Sequence, residues 1–186
     1  MLQAIAVKEF LKKYGINLNL VRENYSKIER ITFGILRRID FLKKSILYPE
    51  IKNERDAQAK ANINSIKGIS TEADEAIEAF ITEYLNVYDL SYKKMKECAR
   101  ATDCQYCIAG SDQIWNGSRV YLNPFFFLSF APDNKRIALA PSFGGDTIRR
   151  YNINSYKKYI SAFEKLSVRE RSGVKLVYDL CGKDAK

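Results

Sequence analysis

The carboxyl-terminal half of the chain alternates short apolar runs with helical periods, and this pattern constrains the fold more than any other feature. Gln105 to Ala109 reads as a short buried strand, and Phe125 to Phe130 as a short aromatic strand. Lys135 to Ala140 and Leu166-Ser167-Val168 read as two more. The periodicity predicts helices over Asn154 to Glu164 and Arg169 to Leu180, the second ended by Gly182. Strands joined in this order by helices fit an α/β sheet with helices on both faces.

The amino-terminal half is helical by the same test. Leu2, Ile5, Ala6, Phe10 and Tyr14 mark one face of a helix over 2–14, stopped by Gly15. Ile16 to Val21 alternates like a half-buried strand. Residues 27–48 combine Ile28, Ile31, Phe33, Ile35, Leu36, Ile39, Phe41, Leu42, Ile46 and Leu47 with Arg30, Arg37, Arg38, Lys43 and Lys44, as a basic amphipathic helix does. Such a helix either docks on its own domain or rests on a membrane surface, because both uses need the same pattern. A polar, Ala-rich stretch follows from Glu50 to Ile66. Ser70-Thr71-Glu72 opens another helix with a hydroxyl cap and an acid in its first turn, and one more spans Ser91 to Ala101. The expected organisation is one α/β domain over 1–186 with a helical insertion at about 27–101.

A chain that is 46% hydrophobic and 28% charged is globular in class. It contains no apolar run long enough to cross a bilayer. The first residues lack the basic flank and apolar core of a signal peptide, so a cytoplasmic location is expected, peripheral at the inner membrane face if the basic helix is a membrane contact. The net charge of +9 favours anionic partners, but the cations are spread along the chain without a nucleic-acid-binding motif, so no nucleic acid is expected. The chain has four cysteines and no histidine. Cys104-x-x-Cys107 lacks a second ligand pair for zinc, and an offset of three along a strand sends the side chains to opposite faces. Free thiols and no metal are expected.

In an open α/β sheet, ligands bind beyond the carboxyl ends of the strands. Three segments belong there: Ala109 to Asn116, Pro141 to Asp146 and Val168 to Gly173. In the first, Gly110 permits a sharp turn or close backbone approach, and Asp112 can bind sugar hydroxyls or act as a base. Gln113 donates and accepts, and Trp115 offers a flat face for a sugar; the same residues equally make an ordinary turn followed by a core tryptophan. In the second, Ser142 with Gly144 and Gly145 suits an anion-binding nest or a plain turn. In the third, a helix begins directly after a strand, where Arg169 and Arg171 can clamp a carboxylate or phosphate, or pair with Glu170 at the surface.

The run Gly110-Ser111-Asp112-Gln113-Ile114-Trp115-Asn116 resembles the G-S-D-Q-x-W-N signature of polysaccharide pyruvyl transferases. Other pieces agree in order: Leu2-Gln3-Ala4 with Lys12-Lys13-Tyr14-Gly15, then Phe126 to Arg136, Ser142-Phe143-Gly144, and Ser167 to Gly173. Pro141 departs from the small residue more usual there. The resemblance implies a Rossmann-like amino-terminal domain of a glycosyltransferase-B-like fold, with the first strand, its N-Y-G-A loop and the second domain missing. It implies transfer of pyruvyl from phosphoenolpyruvate, a donor substrate rather than a cofactor, to a saccharide or lipid-linked saccharide as a ketal. Asp112 is then the catalytic candidate. Gly110, Ser111, Gln113, Trp115, Asn116, Ser142, Gly144, Arg169 and Arg171 are the substrate-binding candidates. Two other readings are an inactive truncated domain or interaction module, and a nucleotide-sugar-binding, glycosyltransferase-like domain.

Overall fold

The computed structural model describes residues 2–66, 71–110 and 112–186; Ser70, expected as a helix cap, lies outside them. The first helix, α1 (Leu2–Lys12), ends at Gly15, whose φ of 72° is the left-handed conformation glycine adopts freely. A short strand β1 (Leu20–Glu23) follows, then helices α2 (Lys27–Leu47), α3 (Ile51–Ile66) and α4 (Thr71–Tyr84). Strand β2 (Val87–Leu90) pairs in parallel with β1, Leu20 opposite Val87. Helix α5 (Tyr92–Arg100) leads to the principal sheet: β3 (Cys107–Ala109), β4 (Arg136–Ala138) and β5 (Lys165–Leu166), all parallel, in that order. Helix α6 (Ile153–Ser161) connects β4 to β5, and α7 (Arg171–Cys181) follows β5. The class is α/β, as the alternation predicts.

Local chemistry explains the boundaries. Ser26 Oγ accepts the Glu29 amide while Glu29 Oε2 accepts the Ser26 amide, so two donors at the start of α2 are satisfied reciprocally. Glu29 Oε1 also accepts the Lys93 amide at 2.9 Å, tying α2 to α5. Ser91 caps α5, and Gly182, at φ 66°, ends α7. Between the sheets, Asn123 Nδ2 donates to both carboxylate oxygens of Glu23, at 2.9 and 3.0 Å, at the end of β1. The core is aromatic: Trp115, Phe127, Phe143, Tyr156 and Phe163 are fully buried alongside Ile160 and Val177.

Four sequence expectations need correction. Phe125 to Phe130 is not a strand. Pro124 to Phe127 form a 3-10 turn that Asn123 Oδ1 caps and Leu128 closes in the left-handed conformation, so proline and cap override the aromatic β preference. The first strand begins at Leu20 rather than Ile16 and runs to Glu23. Cys104 precedes β3 instead of lying within it, so its Sγ and that of Cys107 are 3.9 Å apart and not on opposite faces; both thiols are free, as expected. Helix α2 docks on its own domain, but mainly through its charged and aromatic side. Phe41 is buried, Phe33 lies against Tyr25 and Tyr92, and Arg30 Nε donates to the Tyr25 carbonyl. The Arg37 guanidinium sits 3.7 Å from the Tyr121 ring centre, and Lys44 Nζ donates to Asn152 Oδ1.

Candidate functional site at the carboxyl edge of the sheet

The three segments expected at the carboxyl edge do meet there. The Asp112 carbonyl accepts the Ser142 amide at 3.0 Å and the Ile114 amide at 2.6 Å. The Trp115 amide donates to Ser142 O, and the Gly117 amide to Phe143 O. From the third segment, the Arg169 amide donates to Pro141 O, and Ser167 Oγ bridges Ala138 O and the Ala140 amide. Backbone hydrogen bonds therefore stitch the loops after β3, β4 and β5 into one surface. Ser111 lies outside the described residues.

Gly110 is required sterically. A Cβ there would stand 2.0 Å from the Leu139 carbonyl oxygen, so the chain leaving β3 passes too close to the chain leaving β4 for any side chain. Beside it, a small apolar cavity of about 70 Å³ is lined by Ala4, Val7, Leu18, Ile108, Gly110 and Leu139. Its lining makes it part of the seat of α1 and gives it no polar group to orient a saccharide. Ala140, ahead of the buried Pro141, adopts φ 51°, a strained backbone conformation for a residue bearing a side chain, at the point where β4 enters the site.

Asp112 is exposed. Its Oδ1 accepts the Gln113 amide at 2.8 Å, capping the 3-10 turn Gln113–Trp115. Gln113 and Asn116 face each other, Asn116 Nδ2 donating to Gln113 Oε1 at 3.3 Å, and Gly144, at φ 66°, lies against both. Asn116 Oδ1 is taken by the Ser118 amide and hydroxyl. Arg169 and Arg171 are exposed at the start of α7. The polar and cationic candidates thus share one solvent-facing edge.

Trp115 is placed differently. It has no exposed surface, stacks on Phe127 with ring centres 5.6 Å apart and planes 4° from parallel, and meets Phe143 and Phe163 edge-on. Its Nε1 donates to Phe126 O at 3.1 Å. This is the core tryptophan of the alternative reading, and no face of it is open to a sugar. Its role is to hold the loop from below, helped by Tyr156, whose hydroxyl donates to the carbonyls of Trp115 and Asn116 at 3.0 Å each. Burial pushes the Tyr156 phenol well above its ordinary value, so it stays a donor at neutral pH.

Glu170 is the residue that sequence reasoning passed over. It does not make the surface ion pairs with Arg169 and Arg171 that its neighbours suggest. Its Oε1 accepts the Ser142 hydroxyl and, at 3.4 Å, the Gly144 amide, while Ser142 Oγ also accepts that amide at 3.0 Å. The Gly144 amide, in a segment that suits an anion nest or a plain turn, is thus met by an internal anion. Glu170 Oε2 is buried without a partner among the described residues. The signal available in the sequence was a carboxylate flanked by arginines directly after a strand, and that pattern does not distinguish a clasp from a surface pair. Among the described residues no group of three or more Cys, Asp or Glu could hold a metal ion, and no helix is long and apolar enough to cross a membrane.

Comparison with known proteins gives one match. The family model described as "Polysaccharide pyruvyl transferase" matches residues 1–185. No curated protein and no solved structure matches the chain.

Proposed function

Because the chain belongs to the polysaccharide pyruvyl transferase family, we propose that it moves pyruvyl from phosphoenolpyruvate to two hydroxyls of a saccharide, free or lipid-linked, of a cell-surface polysaccharide. The observation that carries this reading is the meeting of the three segments at one edge, with Asp112 and Ser142 joined through the backbone and Ser142 and Glu170 through their side chains. The fold is read, on the same resemblance, as a Rossmann-like unit of glycosyltransferase-B-like type.

Forming a ketal from an enol phosphate needs a base for the hydroxyls, a proton for the methylene carbon, and cations for the carboxylate and the departing phosphate. In this reading Asp112 is the catalytic residue. Its Oδ1 is held by the Gln113 amide, which fixes the carboxylate so that Oδ2 receives an acceptor hydroxyl. Gln113 and Asn116 supply amide contacts to other sugar hydroxyls, and Arg169 and Arg171 supply charge for the donor. Gly110, Ser142 and Gly144 shape the backbone that carries these groups.

Phosphate release from phosphoenolpyruvate, with the ketal methyl followed by NMR on a lipid-linked or free oligosaccharide acceptor, tests the proposal. Asp112→Asn keeps the cap on Gln113 but loses the base, and should lower turnover by about 10²–10⁴-fold with little effect on stability. Turnover unchanged in that variant would remove Asp112 from the chemistry. A wild-type chain that neither releases phosphate from phosphoenolpyruvate nor binds it would overturn the proposal.

A further inference from the structure

We infer that the outer face of α2 binds the surface of an anionic lipid bilayer. The helix is mounted with its usual polarity reversed. Arg30, Arg37 and Lys44 point into the domain and are used there, on Tyr25, Tyr121 and Asn152. Its aliphatic stripe points away: Ile28 is 77% exposed, Leu42 61% and Ile46 78%, with Ile31, Ile35 and Ile39 exposed between them. Leu36 and Leu47, also exposed, widen one side. A contiguous apolar face of this size on a soluble surface marks a contact.

Spacing and charge select the partner. Ile28, Ile31, Ile35, Ile39, Leu42 and Ile46 follow three-four-four spacing, a repeat of roughly eleven residues rather than the seven of a left-handed coiled coil. This keeps the stripe nearly straight along a length of about 27 Å, as a flat partner requires. Exposed Lys27 and Arg38 lie along one flank and exposed Lys43 along the other. The acidic residues of the helix are engaged elsewhere: Glu29 accepts the Ser26 and Lys93 amides, and Asp40 pairs with Lys44. A second copy of α2 laid on this face, parallel or antiparallel, would set cations against cations. Anionic headgroups complement the fringe while the aliphatic stripe enters the acyl boundary, which is how interfacial helices bind. The inference does not use the sheet-edge site and stands or falls separately from it.

Flotation of the full chain with vesicles tests it. The wild type should float with vesicles of phosphatidylcholine and phosphatidylglycerol, stay behind with phosphatidylcholine alone, and detach as salt is raised. The double variant Ile35→Ser/Leu42→Ser should lower partitioning at least about tenfold, because it removes stripe surface without touching a buried residue. Arg38→Gln and Lys43→Gln should each lower it about fivefold. Two results would overturn the inference: a wild type that fails to float or floats equally with both vesicles, or a wild-type dimer in sedimentation equilibrium that Ile35→Ser/Leu42→Ser splits while vesicle binding is absent.

Discussion

Trp115→Ala should destabilise the fold by about 4 kcal/mol, because the ring is a structural post under the site. An aromatic side chain buries roughly 150–250 Å², and Trp115 has no exposed surface in which to recover any of it. Truncation also removes three ring contacts, to Phe127, Phe143 and Phe163, and the bond from Nε1 to Phe126 O. Trp115→Phe keeps a ring but loses that donor and the outer part of the indole, so about 2 kcal/mol is expected. With a urea slope of about 2 kcal/mol/M, the midpoints measured by far-ultraviolet circular dichroism should fall by about 2 M for the alanine variant and about 1 M for the phenylalanine variant. Trp115 is the only tryptophan in the chain, so its fluorescence reports on it alone. Emission should be short in wavelength, resistant to acrylamide, and unaffected by added saccharide. A Trp115→Ala protein whose midpoint moves by less than about 0.3 M would refute the argument, as would wild-type fluorescence quenched readily by acrylamide.

The same geometry sets other outcomes. Gly110→Ala puts a methyl group 2.0 Å from a carbonyl oxygen and should yield little soluble protein, read from expression and circular dichroism. Ser142→Ala and Glu170→Ala in a double-mutant cycle should couple by about 1.5–3 kcal/mol, as a hydrogen bond to a charged group does; strict additivity would mean that the clasp is not formed. Burial and the neighbouring Cys104 push the Cys107 thiol up to about 12, so at pH 8 maleimide should label exposed Cys98 much faster, as peptide mass spectrometry would register. The phenols of Tyr25, Tyr151 and Tyr156 are all raised from 10.0, chiefly by burial. Their contribution to stability is complete below the unfolded value and is lost as pH rises above 10.0 toward the folded values. Urea midpoints should therefore fall above that pH, and midpoints that hold steady there would contradict this.

The sequence was most legible where local signals agreed with tertiary demand. Helix α2 was readable almost to its ends because its apolar period is strong, and α1 and α7 because Gly15 and Gly182 sit where the chain must turn left-handed. The three loops of the site were readable as a group, since each follows a strand of one parallel sheet and the strand ends share an edge. Three things were hidden. The direction in which α2 faces depends on what Tyr25, Tyr121 and Asn152 offer from distant parts of the chain. The burial of Trp115 depends on Phe127 and Phe163 arriving from other elements. The clasp of Glu170 depends on Ser142, a residue 28 positions away, reaching it in preference to the adjacent arginines.

Asn123 carries a further consequence. One end of its amide caps the turn at Phe125, and the other grips both oxygens of Glu23. Asparagines age by losing ammonia, most readily when the backbone nitrogen of the next residue attacks the side-chain carbonyl. Here that change would place one carboxylate against another and turn the tie between the two sheets into a repulsion. The next residue is Pro124, whose backbone nitrogen carries no hydrogen and cannot close that ring. The residue that starts the turn therefore also guards the joint against spontaneous chemical decay.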